Sequence, residues 1–148
     1  MIRAILAFIA LPGVVAFAVP VTIGMSAGKL VPYWAAGLAP LVAGTWLLVW
    51  SAREFYVAGR GTLAPWSPPQ QLVTTGPYGY SRNPMYVGVV AILIGWSTMW
   101  DSRALLIYLI AVSCAFYLRV ILAEEPWAAR RYGADWNAYR SRVPRWLF

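Results

Sequence analysis

Four runs of apolar residues alternate with short polar stretches along the chain. They cover about 4–23 (AILAFIALPGVVAFAVPVTI), 31–50, 85–100 and 104–123. Apolar runs of about 20 residues have the length of a helix that crosses a bilayer. Pro12 and Pro20 predict kinks in the first. It is long for a signal peptide and is read as a membrane helix. The second run has no charge between Lys29 and Arg53, and continues into the more polar Ser51-Ala52-Arg53-Glu54-Phe55-Tyr56. Only Asp101-Ser102-Arg103 separates the third and fourth, which makes them antiparallel neighbours. The pattern predicts an all-α integral membrane helical bundle of four transmembrane helices, a single domain over 1–148, with a cytosolic helical tail.

The polar stretches carry the information that the apolar runs lack. The loop over 51–84 holds Gly59-Arg60-Gly61 and Pro65, Pro68 and Pro69, which exclude a helix or strand interior. It ends in Gln70–Gly88, QQLVTTGPYGYSRNPMYVG. Gly76-Pro77 and Gly79 predict turns, and Asn83 reads as the N-cap of a helix with Pro84 at its first position. A helix start offers free N–H groups to an anion. The tail over 124–148 predicts a helix from Pro126 to Gly133 and a second from Asp135 to Arg142, before Pro144. Trp127, Trp136, Tyr139 and Trp146 interleave with arginines there, as in an interfacial amphipathic segment.

Composition narrows the chemistry. The chain is 61% hydrophobic and 11% charged, against about 25% charged in soluble domains. Cys114 is the single cysteine and there is no histidine, which rules out a histidine general base and an internal disulfide and argues against a histidine-ligated metal site. The net charge of +7 does not mark a nucleic-acid binder, because the cations flank apolar spans. Arg3, Arg53, Arg60, Arg82, Arg119, Arg130, Arg131, Arg140, Arg142 and Arg145 fall on one side of the predicted topology, Lys29 and Arg103 on the other. Both termini and the Gln70–Gly88 stretch then face the cytoplasm, in the inner membrane if the source is bacterial. Arg119, at the edge of the fourth run, is a functional candidate, with snorkelling to the interface as the plain alternative. Glu124 lies five residues on, about 140° around an α helix, so the two are not expected to pair.

The stretch GPYGYSRNPMYVG resembles the loop motif of the isoprenylcysteine carboxyl methyltransferase family and its phospholipid methyltransferase relatives. The tail is similar too: Glu124-Glu125, Tyr132-Gly133, Trp136, Tyr139 and Val143-Pro144-Arg145 follow the family's order. The resemblance implies an integral membrane enzyme that takes methyl groups from S-adenosylmethionine and releases S-adenosylhomocysteine, with its cofactor site built from the loop and the tail. It carries cofactor contacts onto Gln70, Gln71, Leu72, Val73, Tyr78, Asn83, Pro84, Met85, Tyr86 and Glu124. Asn83 stands where members often have histidine, and some have one in place of Gln70; neither amide can shuttle a proton. The family's substrate-binding arginine would fall at Val120, and Arg119 is its neighbour. Arg119 and Asn83 are the catalytic candidates, and no metal is implied.

The residues suit that cofactor on physical grounds. The helix start at Asn83-Pro84 suits a carboxylate, Glu124 suits ribose hydroxyls or an amino group, and Tyr78 and Tyr86 suit a sulfonium or an adenine ring. The expected partners are membrane lipids and a lipophilic methyl acceptor, with no nucleic acid. Isoprenylcysteine-type carboxyl O-methylation competes with phospholipid amine N-methylation. A small four-span transporter or scaffold protein is the alternative of another class. A transporter would usually place a charge near the middle of a span, and the first three runs hold none.

Overall fold

The computed structural model of the protein describes residues 9–26, 28, 34–59 and 70–147. The expectations for residues 4–8, 31–33 and the proline cluster at 65–69, and for Arg3, Lys29 and Arg60, lie outside the described residues. Every element described is helical. Helix α1 is π-wound over Ile9–Ala18 and α-helical over Val19–Ser26. A single 3₁₀ turn, Ala35–Gly37, leads into α2, Leu38–Gly59. Then come α3, Pro84–Trp100, and α4, Arg103–Arg119. A π turn, Val120–Glu124, joins α4 to α5, Glu125–Tyr132, and Gly133 separates that from α6, Ala134–Arg140.

Among the described residues, two helical stretches are long and apolar enough to cross a membrane: Ala35–Gly59, of 25 residues, and Arg103–Tyr132, of 30. Only 22% and 11% of their apolar windows are buried, the reverse of a soluble core helix, so their outward faces suit lipid. The other two apolar helices, Pro12–Ser26 and Pro84–Trp100, are shorter, so two such helices stand where the pattern predicted four. The fourth run does not stop near 123. It continues through the π turn into α5, because Pro126 falls in the first turn of α5 and the ladder upstream is carried by Glu125 N–H bonding to the Val120 carbonyl. A π turn closes residue i on i+5 and absorbs the irregularity that proline imposes.

Prolines also explain how α1 docks. Pro20 has no N–H to give to the carbonyls one turn before it. Those carbonyls are taken instead by side chains of other helices: Trp96 Nε1 of α3 donates to Ala16 O at 2.9 Å, and Tyr108 Oη of α4 donates to Val15 O at 3.1 Å. In an apolar medium an unmet carbonyl would be expensive, so the proline prescribes where its neighbours must pack. The antiparallel pair α2–α3 is held by close backbone approach. Gly37 and Gly44 face Gly95 and Gly88; a Cβ on Gly44 would fall 2.6 Å from Gly88 O, and one on Gly88 2.9 Å from Gly44 O. Small residues at a helix crossing permit this contact.

Two apolar clusters result. Ala16, Leu48, Val89, Ile92 and Leu93 form the core among α1, α2 and α3. Ala128, Trp136, Tyr139 and Val143 form a second core in the tail, with Leu72 of the loop packed against it. The second core brings the loop and the tail, far apart in sequence, to the same end of α3 and α4.

Candidate functional site

The loop re-enters beside the end of α2, where Gln70 N–H donates to Gly59 O at 2.9 Å. Gly76 opens a 3₁₀ turn, Gly76–Gly79, and only glycine suits the position: its φ is +57°, and a Cβ would lie 2.8 Å from Glu54 Cγ. Thr75 Oγ1 donates to Glu54 Oε2 at 3.1 Å, so Glu54 of α2 seats the turn from below. The turn buries Pro77 and Tyr78, and the Tyr78 ring packs near Phe55 with centroids 6.3 Å apart. Tyr139 Oη donates to Tyr78 O at 2.7 Å, inside the protein. Burial raises the Tyr78 phenol well above its ordinary value, with Tyr139, Glu124 and Tyr86 adding to the effect, and pushes Tyr139 up to about 12. Both therefore stay neutral, and Tyr139 keeps the proton that it donates.

Residues 81–83 are sewn to the end of the tail. Arg82 N–H donates to Pro144 O at 2.9 Å, Ser81 Oγ to Arg145 O at 3.3 Å, and Asn83 Nδ2 to the same carbonyl at 3.0 Å. Asn83 occupies the N-cap of α3, with Pro84 at the first turn, but its side chain makes no capping bond. The expected N-cap position is therefore found, but the amide is drawn to the tail, a partner 62 residues away. The first-turn N–H groups of α3 are left uncapped by that side chain.

Glu125 closes this junction. Arg145 grips it through Nε and Nη2, both at 2.8 Å, and Arg82 Nη1 lies 3.0 Å from Oε1. The Arg82 guanidinium lies 5.4 Å from the centre of the Trp136 ring. Burial lowers the Arg82 pKa, with Glu125 opposing, while the hydrogen bond to Glu125 raises that of Arg145.

Glu124 is held otherwise. Tyr86 Oη donates to its Oε1 at 2.6 Å, and Arg119 Nε donates to the same oxygen at 2.7 Å. The Tyr86 ring stacks on Phe116, centroids 4.2 Å apart. The expectation that Arg119 and Glu124 do not pair is overturned. It assumed α geometry, whereas the intervening turn is π-wound, and residues five apart then share a face. Val120, where a family arginine would fall, is fully buried.

The structure thus brings Tyr86 and Arg119 together on Glu124. Met85 and buried Pro84 form the first turn of α3. Leu72 and Val73 pack inward, and Gln70 and Gln71 are exposed at the end of α2. Sequence reasoning did not single out Glu54, Ser81, Phe116 or the Arg82–Glu125–Arg145 junction. Val143-Pro144-Arg145 carried a signal in its motif; Glu54 carried none, because only the folded turn shows what lies beneath Gly76.

These features describe a helical membrane protein with a polar site at one end of a helix pair. The model of the phospholipid methyltransferase family matches residues 33–135, which spans both the loop and the first tail helix. The chain belongs to that family. It is also similar to a nickel-cobalt-cadmium resistance protein, NccN, of Alcaligenes xylosoxydans xylosoxydans, 30% identical over 96 residues. That match takes in 65% of this chain and 40% of the relative, so the chain spans less than half of that protein's length. No solved structure matches.

Proposed function

We propose that the protein is an S-adenosylmethionine-dependent methyltransferase acting on a lipid-tailed acceptor, resembling the isoprenylcysteine carboxyl O-methyltransferases. The carrying observation is the meeting of Tyr86, Arg119 and Glu124 beneath a loop sewn to the tail. The donor set fits the cofactor. Both donors fall on Glu124 Oε1, and among the described residues Oε2 accepts from none, so a ribose hydroxyl or an ammonium has an acceptor there. At the start of α3 the Asn83 N–H is taken by Ser81 Oγ and Pro84 has none, so the N–H groups of Met85 and Tyr86 are the ones that suit a carboxylate. When bound, the cofactor supplies an electrophilic methyl group on a cationic sulfur. The chain's own part is to orient: Glu124, Tyr86 and the start of α3 hold the cofactor, while Arg119 holds the acceptor's head and the apolar helices exclude water. Gln70, Gln71, Leu72, Val73 and Tyr78 would border the same site, and Asn83 would fix the helix start.

The same reading includes four spans with both termini in the cytoplasm. The 17 residues of α3 rise about 25 Å, near the roughly 30 Å of a hydrocarbon core. Phospholipid amine N-methylation is the second reading, favoured by the family that the chain matches. A transporter or scaffold is less well supported, since the polar cluster sits at a helix end. Incubation of the purified protein with methyl-labelled cofactor and host membranes is expected to place label in the organic phase. Release of the label as methanol by mild base identifies a carboxyl ester; base-stable label identifies N-methylation. Label confined to water-soluble products would defeat the lipid-acceptor reading.

A further inference from the structure

The turn between α3 and α4 holds a second polar site. Helix α3 runs 17 residues from Pro84, beside the Glu124 site, to Trp100, about 25 Å along its axis. At its far end an open cleft of about 440 Å³ lies between this turn and the start of α2, with Trp34, Asp101, Arg103 and Leu106 in its lining. The backbone fixes its walls. Trp34 N–H donates to Met99 O at 3.2 Å, Asp101 N–H donates to the carbonyls of Ser97 and Thr98, and Leu105 N–H donates to Ser102 Oγ at 3.5 Å. Among the described residues, Asp101 and Arg103 are the only ionised side chains at this end. Both stand where a helix dipole opposes them. Asp101 is the C-cap of α3, at the negative end of that helix, and Arg103 is the first residue of α4, at the positive end. Helix stability alone favours the reverse order. The aspartate also holds a left-handed backbone, φ +42° and ψ 54°, which glycine adopts with less strain. Each charge adds to the dipole of its own helix end, so the cleft is negative on one rim and positive on the other.

We propose that this cleft binds the headgroup of a zwitterionic aminophospholipid, with the ammonium at Asp101 and the phosphate at Arg103. The end of α3 reinforces the carboxylate and the start of α4 reinforces the guanidinium. Cα atoms two residues apart lie within about 7 Å of each other, so one headgroup reaches both charges. Trp34 and Leu106 border the same cleft and are 61% and 49% exposed. They offer apolar surface to the glycerol and the first chain methylenes, which a free zwitterion in water does not need. An anionic lipid meets Arg103 but is repelled by Asp101. A choline head carries both charges but has no N–H to donate to the carboxylate, whereas a primary ammonium has three. The cleft lies at the opposite end of α3 from Glu124, so its lipid is a resident of the fold and not the methyl acceptor.

The test is native mass spectrometry of the full chain in detergent, with phosphatidylethanolamine, phosphatidylcholine and phosphatidylglycerol supplied at equal concentration. Wild type is expected to retain one phosphatidylethanolamine in about fivefold excess over either competitor, the scale of one exposed ion pair. Asp101→Asn suits the same left-handed turn and so keeps the fold; it is expected to retain phosphatidylethanolamine and phosphatidylglycerol equally. Arg103→Gln is expected to release all three lipids. Arg103→Lys keeps the cation and is expected to retain phosphatidylethanolamine. Wild-type preference in Asp101→Asn, or undiminished retention in Arg103→Gln, overturns the proposal. So does wild type that holds phosphatidylglycerol as tightly as phosphatidylethanolamine. Displacement of the bound lipid by an equal concentration of glycerophosphoethanolamine assigns the cleft to a soluble zwitterion and overturns the lipid as its occupant.

Discussion

Glu124 and Glu125 are adjacent carboxylates with different work. Glu125 is gripped by Arg145 at 2.8 Å and Arg82 at 3.0 Å, and ties the tail to the loop. Glu124 faces Tyr86 and an exposed Arg119. Glu124→Ala is expected to weaken binding of S-adenosylmethionine by about 1–3 kcal/mol, the scale of a lost charged hydrogen bond, with little change in thermal stability. Asn83→Ala is expected to weaken binding by a similar amount and also to lower the unfolding temperature, because its amide holds Arg145 O at 3.0 Å. Calorimetric titration and a thermal melt on each variant separate the two effects; normal binding by both, in folded protein, would remove this site. The types of these residues were legible in the motifs. Which oxygen or carbonyl each one meets was not, since those partners lie up to 62 residues away.

Among the elements, the α2–α3 pair depends on glycines seven residues apart, Gly37 and Gly44 in α2 and the turn before it, Gly88 and Gly95 in α3. Gly44→Ala would drive a Cβ to 2.6 Å from Gly88 O, whereas at Gly79 the nearest atom to a Cβ is 3.6 Å away. Gly44→Ala is therefore expected to destabilise the bundle by about 1–3 kcal/mol, and Gly79→Ala to stay within about 0.5 kcal/mol, as read by unfolding in mild detergent. Equal tolerance of the two would mean that α2 and α3 do not approach so closely. The spacing is visible in the sequence, but a glycine pattern does not name the helix that it faces. Nor could an α-helical wheel predict the pairing across Val120–Glu124, because a π turn shifts every later residue around the axis.

For the whole molecule, the proposed four-span topology puts Ser26 and Ser141, both exposed, on opposite faces of the membrane. With Cys114 replaced, single cysteines at these positions are expected to react with an impermeant reagent from opposite sides. Reaction from the same side would replace four spans by another arrangement. The tail core matters at this scale as well: Leu72 packs against the Ala128, Trp136, Tyr139 and Val143 cluster, so loop and tail fold as one unit on the end of the bundle.

The sequence by itself determined that the chain is helical and lipid-facing. Long apolar runs, glycine and proline punctuation and clustered arginines are local signals, and their physics does not depend on distant partners. It also determined where the first tail helix ends, at Gly133, though not where it begins, because the helix runs on from α4 through the π turn. Tertiary structure alone decided that the Asn83 amide serves the tail rather than its own helix, and that Arg119 meets Glu124. Each of these depends on a backbone path or a partner carbonyl that exists only once loop, tail and helix ends are packed together.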